Sequence, residues 1–392
     1  MKKFIFFLCC ICAFQISLAA DMMNPNVCKS CHEEQYKDWK TSLHALSHED
    51  SNELYRKAVT WAANENHKLY DDQLLECGQC HNPKMQVKKM DADMFLATAL
   101  NIDTQKSQQL QEAINADDIK TGVSCYICHN VSSIKPKTDP KQSGYKLFDW
   151  TLRNIIVGPY DIESTLFHAN EHRDFFREND NLCLSCHQGQ ATQNKFSVYN
   201  TGVESADAEK RCVDCHMGSL RTEIIAPTIK RDDMTPREVK SHFFKGARNS
   251  DILKEALDFD LVKIGENEAK LSVQNLISHN VPTGFGGRSM VFEISFFNNA
   301  KLLDKQNIDF RAIFKNATML ETFSYGATLM SSDTRLKPFE RRDFKITAPN
   351  GTNKITINVV YYVIAPQLQE LLQIKSESHI KPYKAMQKEF KF

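Results

Sequence analysis

The placement of cysteine constrains this chain more than any other feature. The 392 residues contain thirteen cysteines, and the ten that lie beyond residue 20 all belong to five copies of one pattern, Cys-x-x-Cys-His. Two thiols on one helical turn can add to both vinyl groups of a haem, and the histidine that follows can ligate the iron from one side. The pattern therefore predicts five covalently attached c-type haems. The motif residues are Cys28, Cys31 and His32; Cys77, Cys80 and His81; Cys125, Cys128 and His129; Cys183, Cys186 and His187; and Cys212, Cys215 and His216.

Three other uses of paired cysteines fit the pattern less well. A zinc site needs four ligands per metal and no fixed histidine after each pair. Structural disulfides suit an exported chain but do not explain five histidines at one constant offset. A thioredoxin-like site occurs once, beside a βαβ pattern that the sequence does not contain. With all ten cysteines in thioether bonds, we expect no disulfides.

Residues 1–20 have the features of a secretory signal peptide. Two lysines precede an apolar run at residues 4–14, and Ser17 and Ala19 put small residues at the two positions that a signal peptidase reads, so we expect cleavage after Ala19 or Ala20. An uncleaved anchor is the weaker alternative, because the run is shorter than the roughly 20 residues that span a bilayer. Since haem c is attached outside the cytoplasm, we expect an exported, periplasmic protein, with the cell surface as the alternative location.

The charge balance excludes some classes of partner. Acidic and basic residues are equally numerous, at 49 each, so the formal net charge is zero. A chain of this kind gives no indication of binding to nucleic acid or to an anionic membrane surface.

The sequence changes character near residue 250. Residues 21–248 hold all five motifs, or one haem per ~45 residues, so we expect haems to form much of the core, wrapped by short helices and loops. Helical periodicity is present over 33–57 and 91–116. Residues 249–366 contain β-branched and aromatic runs separated by turn residues, typical of an antiparallel β-sandwich, and residues 367–392 suggest a helix and a basic tail. The predicted fold class is α+β.

Histidine is abundant enough to provide a second ligand to every iron. Thirteen are present, and a helix over 33–57 would put His44 roughly 18 Å from His32, so His44 should serve a different haem. His44 and His48 share a helix face, as do His168 and His172, and spacing does not choose within either pair. The eight histidines outside the motifs are His44, His48, His67, His168, His172, His242, His279 and His379.

The stretch from Cys28 to His44, with Trp39 and Ser42, closely resembles the opening of the tetrahaem cytochrome c-554 family, electron carriers of ammonia oxidisers. In that family the histidine of Trp-x-x-Ser-x-His is a distal ligand, which corresponds to His44 here. Similar stretches around the third, fourth and fifth motifs imply that His168 and His242 are distal ligands too. The chain departs from the family in having five attachment sites where the type member has four.

The β-rich part resembles a C-terminal domain found on such cytochromes, through residues 278–284 and 333–338. The resemblance implies that His279 reaches a haem. The fifth distal ligand stays open among His48, His67 and His172. His67 and His379 are more typical of surface or hydrogen-bonded histidines than of ligands.

The leading functional prediction is electron transfer between redox partner proteins through five bis-histidine haems, with no catalytic residue assigned. Membrane-associated quinol-linked cytochromes are among the expected partners, and an oligomer is compatible with the sequence. A reductase of a small nitrogen or sulfur compound, with one open iron, is the alternative. All five motifs end in histidine, which counts against the pentahaem nitrite reductases and their lysine-ligated haem. A cytochrome that assembles into conductive polymers is a third possibility.

Overall fold

The structure is a computed structural model that describes residues 22–152, 154–189, 192, 194–206, 209–229 and 234–392. The predicted signal peptide lies outside these ranges. Within them, no helix is both long and apolar enough to cross a bilayer. The chain divides into two compact units, Met1–Cys186 with Arg211–Phe244, and His187–Lys210 with Lys245–Phe392.

Short helices and two-stranded ribbons build the first unit. The ribbons are β1–β2 and β5–β6, both antiparallel, and the parallel pair β3–β4. Helix α8 (Asn181–His187) ends one residue beyond Cys186, where the first segment of the unit stops. The elements are α1 (Pro25–Lys29), α2 (Glu33–Lys40), α3 (Glu53–Glu65), α4 (Tyr70–His81), α5 (Ala92–Ala99), α6 (Gln105–Asn115), α7 (Cys125–Cys128), β1 (Val131–Ile134), β2 (Phe148–Trp150), β3 (Ile155–Gly158), β4 (Ala169–His172), α8 (Asn181–His187), α9 (Cys212–His216), β5 (Leu220–Glu223) and β6 (Arg237–Lys240).

Both long helices that the periodicity predicts are interrupted. The helix expected over 33–57 stops at Lys40, because the Thr41 hydroxyl bonds back to the carbonyl of Asp38 and a turn follows. A new helix starts where the Asn52 side chain accepts from the backbone N–H of Tyr55. The helix expected over 91–116 divides in the same way, because Thr104 and Ser107 form a capping box. The separation that assumed one helix from His32 to His44 therefore does not apply.

A conventional apolar cluster supports the second attachment motif. It packs α3 and α4 against α5 and α6, and all of its central side chains are buried. This part of the unit has an apolar core made of side chains. The density of motifs had instead predicted that haems would form much of the core. The cluster consists of Tyr55, Val59, Leu74, Leu75, Met85, Val87, Met94, Leu110, Ala113, Ile114 and Ile119.

The second unit is antiparallel throughout, so the predicted α+β class is confirmed. Its sheets have the orders β10–β9–β15–β16, β14–β8–β7 and β12–β11–β13. Phe259 of β7 meets Phe292 of β9 edge to face, with ring centroids 5.3 Å apart, so aromatic side chains join the first two sheets face to face. The elements are α10 (Ser250–Ala256), β7 (Leu257–Lys263), β8 (Glu268–Asn275), β9 (Ser289–Asn298), β10 (Lys301–Phe310), β11 (Ala312–Lys315), β12 (Glu321–Thr322), β13 (Leu329–Asp333), β14 (Arg341–Thr347), β15 (Lys354–Tyr362), α11 (Pro366–Leu372), α12 (Glu377–Ile380) and β16 (Tyr383–Lys391).

The basic tail that was predicted after the C-terminal helix is a strand. Residues 367–392 begin with two short helices, but Tyr383–Lys391 is a strand that pairs with β15 over its whole length. It is the last strand of its sheet, and Lys388 bonds to Asp258 at 2.8 Å. Lysines on an edge strand discourage further pairing, and that composition gives the strand the appearance of a tail.

A segment from the cytochrome part of the sequence belongs to the second unit. Residues 187–210 were expected within one domain over 21–248, yet they join the β-rich part through bridges from Tyr199 to Phe285 and from Ser205 to His279. Glu204 and Arg335 add a half-buried ion pair at 2.7 Å. The boundary between the units therefore falls inside the fourth attachment motif as well as near residue 245.

Candidate haem centres

Each attachment motif lies on a helical turn. The second and fourth motifs end α4 and α8, the fifth occupies α9, and the cysteines of the third form α7. In the first and third motifs the backbone N–H of the histidine donates to the carbonyl of the first cysteine, at 2.8 Å for His32 and 3.0 Å for His129. This helical spacing puts both thiols on one side of the turn, as attachment to one haem edge requires.

Burial keeps two of the motif thiols, Cys77 and Cys128, in the protonated form, whereas hydrogen bonds from other motif thiols lower the pKa of Cys28 and of Cys80. Burial raises the pKa of Cys77 to about 12 and the pKa of Cys128 to about 11. Redox-active and zinc-binding cysteines instead have a lowered pKa, because they act as thiolates. The zinc and thioredoxin-like interpretations lose support at Cys77 and Cys128.

The ring Nδ1 of three motif histidines is already bonded. His32 bonds to the carbonyl of Ile225 at 3.0 Å, and His129 to the carbonyl of Val157 at 2.7 Å. His81 bonds to the Ser47 hydroxyl at 2.8 Å. A metal-bound imidazole normally donates its second N–H in this way, which orients the ring and leaves Nε2 for the iron. The spacing of the motif residues does not predict any of these three hydrogen-bond partners.

Two of the predicted distal histidines lie next to motif histidines. The ring centroids of His32 and His168 are 6.4 Å apart at an interplanar angle of 35°. Those of His129 and His242 are 6.2 Å apart at 28°. A metal–imidazole bond is about 2 Å long, and the centroid lies about 1 Å behind the nitrogen, so two rings on one iron have centroids about 6 Å apart. The residues present therefore fit one iron between each pair.

His44 is the neighbour of the second motif histidine. Burial lowers the pKa of His81 to about 4, and the nearby His44 lowers it further in the same direction. Burial also lowers the pKa of His44 to about 4. Both rings are neutral at pH 7, which is the form that binds a metal.

The Trp-x-x-Ser-x-His stretch is held in place by the segment before the third motif. The Trp39 indole donates to the carbonyl of Val123 at 2.9 Å, and the N–H of Val123 donates to the carbonyl of His44 at 3.0 Å. Gly122 has φ +70°, and a Cβ there would lie 2.5 Å from the His44 carbonyl oxygen. Glycine is therefore required for this turn to approach the histidine backbone.

A buried carboxylate supports His242. Asp38 is 3% exposed and accepts a hydrogen bond from the backbone N–H of His242 at 3.0 Å. The same carboxylate pairs with the guanidinium of Arg221 at 2.8 Å. Burial lowers the pKa of His242 to about 3, and His129 contributes in the same direction. Asp38 thus positions a candidate iron ligand, and sequence reasoning missed it because carboxylates carry no motif here.

The three candidates for the fifth distal ligand are poorly placed. His48 is buried, but Nε2 lies 3.3 Å from the carbonyl of Ile114 and Nδ1 accepts from the N–H of Asp50 at 3.1 Å. His67 is exposed at the end of α3. The exposed side chain of His172 lies 3.4 Å from a carboxylate oxygen of Asp174.

The second unit holds His187, His279 and His379. His279 bonds through Nδ1 to the carbonyl of Asn280 at 3.0 Å. His32 and His129 bond to backbone carbonyls through Nδ1 in the same way. The ring of His187 meets Tyr199 edge to face, with centroids 5.1 Å apart. His379 is 5% exposed, with Nδ1 3.4 Å from the Ser378 hydroxyl, as expected for a histidine with a structural role. His216 ends α9 in the first unit.

Thiols of different motifs are neighbours. Hydrogen bonds join the first motif to the third, the second to the fourth, and the fourth to the fifth. These bonds give two groups, the first and third motifs and the second, fourth and fifth motifs, and an electrostatic interaction between Cys128 and Cys186 connects the two groups. The paired thiols are Cys28 with Cys125, Cys80 with Cys186, and Cys183 with Cys212.

Comparison with known proteins relates these features to a family and a fold. Residues 27–130, which contain the first three motifs, match the family model described as cytochrome c554 and c-prime. The penta-heme cytochrome c552 from Thermochromatium tepidum has a similar fold, with a TM-score of 0.71 and 19% identity over 94% of this chain and 98% of that one. A structural-genomics target, SoR45, aligns with a TM-score of only 0.13 and 8% identity over 34% of this chain and 82% of its own, so it carries no argument.

A comparison with curated protein sequences finds no significant relative. A family match that spans three of the five motifs, together with a fold shared over nearly the whole chain, makes this protein similar to multihaem c-type cytochromes.

Proposed function

We propose that the chain is an exported, periplasmic cytochrome that transfers electrons between redox proteins through five covalent haems, most or all of them bound by two histidines. The imidazole pairs His32–His168 and His129–His242 carry the proposal, because both have the separation that one iron requires. Two histidines also favour a lower reduction potential than a methionine–histidine pair.

Bound haem c supplies reversible one-electron chemistry, and the protein controls ligation, spacing and solvent access. Burial keeps His44, His81 and His242 neutral, so these rings are available as ligands without loss of a proton at pH 7. The connected thiol pairs support closely spaced attachment sites, as transfer between neighbouring centres requires.

The test measures haem count and coordination on the full mature protein. Denaturing mass spectrometry should show the added mass of five haems, and electron paramagnetic resonance of the oxidised form should show low-spin signals. Adding carbon monoxide to the reduced protein should leave the spectrum unchanged. Four or fewer haems on fully matured protein would contradict the proposed count.

One observation supports a reductase as the second candidate. After His44, His168, His242 and His279 are assigned, the remaining candidates are His48, with both ring nitrogens bonded, and the exposed His67 and His172. One iron could then lack a second histidine and bind a small nitrogen or sulfur compound. A stoichiometric carbon monoxide complex at one haem would favour the reductase over the carrier.

The partners we propose are a donor and an acceptor redox protein, with membrane-associated quinol-linked cytochromes among the donors. The zero formal net charge gives no support to nucleic-acid binding. Stopped-flow mixing with a reduced quinol-linked cytochrome would test this, and transfer no faster than to an unrelated small cytochrome would count against it.

A further inference from the structure

Two arginines of the second unit have an unsatisfied buried nitrogen. The Nε atoms of Arg248 and Arg288 are both buried, and neither has a hydrogen-bond partner within the described residues. Guanidinium groups stay charged at every physiological pH, and a buried charge without a counter-charge is costly. The two groups are also close enough for the charge of Arg288 to lower the pKa of Arg248, in addition to the larger effect of burial.

A buried arginine of this unit is paired with carboxylates. Arg311 is 5% exposed and makes ion pairs with Glu321 at 2.7 Å and with Asp309 at 3.6 Å. Across the described chain, neither Arg248 nor Arg288 has an ion pair of this kind. Among the described residues, Arg288 bonds to neutral groups: one terminal nitrogen donates to the carbonyl of Thr283 at 2.7 Å, and the guanidinium also bonds to Tyr199.

The carboxylate whose charge acts on Arg288, that of Glu204, already has other partners. Glu204 pairs with Arg335 through one oxygen at 2.7 Å and accepts from the Thr283 hydroxyl through the other at 2.7 Å. Arg335 in turn pairs with Asp333 at 2.7 Å. Three arginines therefore share two carboxylates in this region, and the excess positive charge lies at Arg248 and Arg288.

A single side chain connects this charge to the fourth motif histidine. The guanidinium carbon of Arg288 lies 5.3 Å from the centroid of the Tyr199 ring, and that ring meets the ring of His187 at 5.1 Å. Tyr199 is held firmly, because a Cβ on Gly284 would lie 2.5 Å from its Cζ. The two arginines are therefore near the haem that His187 would ligate.

We propose that Arg248 and Arg288 form a carboxylate-binding site, and that its occupant is a propionate of the haem bound at His187. A carboxylate fits the fork of a guanidinium through paired charge-assisted hydrogen bonds, and each haem carries two propionates. The proposal rests on the proposed function, because it requires a haem at the fourth motif. It adds a site on the β-rich unit that sets the potential of one haem.

The test uses the full mature protein and its Arg288→Gln and Arg248→Gln variants, with potentials measured by spectroelectrochemical titration. Loss of the positive charge leaves the propionate unpaired and disfavours reduction, so one of the five components should shift to lower potential. A tenfold change in the one-electron equilibrium corresponds to about 59 mV, which is the shift we expect. Arg341→Gln is the matched control, because Arg341 is 63% exposed and lies on β14 of the same unit.

Two results would overturn the proposal. One is potentials in both variants that match those of Arg341→Gln, with five haems present by mass. The other is saturable binding of sulfate to the wild-type protein that Arg288→Gln abolishes, since this would show a site open to soluble oxyanions.

Should Arg288→Gln fail to fold, Arg288→Lys keeps the charge without the fork, and a shift in the same direction is expected. A wild-type protein with fewer than five haems would instead refute the proposed function.

Discussion

Asp38 offers a direct test of how the chain positions an iron ligand. The carboxylate is buried and bonds both to Arg221 at 2.8 Å and to the backbone N–H of His242 at 3.0 Å. In Asp38→Asn the side chain keeps its shape but loses its charge, so Arg221 loses its principal partner. Breaking a fully buried pair costs about 3–5 kcal/mol, and the loss here should be smaller, about 2 kcal/mol, because the side chain of Arg221 is 33% exposed and reaches water.

The assay combines thermal unfolding with electron paramagnetic resonance of the oxidised protein. A loss of about 2 kcal/mol should lower the melting temperature by about 4–8 °C in a unit of this size. A share of the irons should also become high-spin, because a neutral amide accepts from the His242 N–H more weakly than a carboxylate and fixes that backbone less firmly. Asp149→Asn is the control, since Asp149 pairs with Lys135 at 2.6 Å but is 49% exposed, and such pairs contribute about 0–1 kcal/mol. An Asp38→Asn protein that melts like this control, with unchanged low-spin signals, would refute the reasoning.

Three further predictions concern single residues of the first unit. His44→Gln should create one high-spin iron while His48→Gln leaves the low-spin signals intact, and paramagnetic resonance of the two proteins distinguishes these outcomes. Gly122→Ala should lower the melting temperature and disturb the same iron as His44→Gln, because a Cβ at φ +70° meets the His44 carbonyl; an unperturbed protein would contradict this. Burial lowers the pKa of Lys88 from 10.5 to about 8, so the unfolded chain binds more protons between these values and this lysine adds stability as pH rises through that window. Lys88→Met should remove that rise in denaturant titrations, and an identical pH profile would show the prediction to be wrong.

The parts of the fold that follow local rules were predictable from the sequence. Five motifs indicate five helical turns, because the spacing of two thiols is itself a helical period. The strands after residue 250 follow from β-branched runs and turn residues. His168 and His242 were identified by resemblance, and the structure brings each opposite a motif histidine. These features depend on residue type and on short-range spacing.

Long-range partners were not predictable, because a single residue in a distant segment leaves no periodic signal. Asp38 supports His242 from a helix far away in the sequence, and the carbonyls of Val157 and Ile225 bond to motif histidines through the backbone, which has no side-chain signature. The break after Lys40 depends on competing hydrogen bonds of Thr41, which weaken a helix that the apolar spacing favours. The strand at Tyr383–Lys391 was not predicted, because its lysines are typical of an exposed tail.

We expect haem attachment and folding to be coupled most tightly between residues 158 and 238. In the described residues of that interval no hydrophobic side chain is buried, whereas the cluster over residues 55–119 is a normal apolar core. Ordered backbone costs about 1–2 kcal/mol per residue in entropy, which this interval cannot recover from its own apolar burial. It nevertheless carries His168, His187 and His216, and His168 faces a histidine from the start of the chain. Strand bridges and the Glu204–Arg335 ion pair join residues 187–210 to the second unit, so ligation is the interaction that can hold the remainder of the interval, and we expect that remainder to order only as haems are attached.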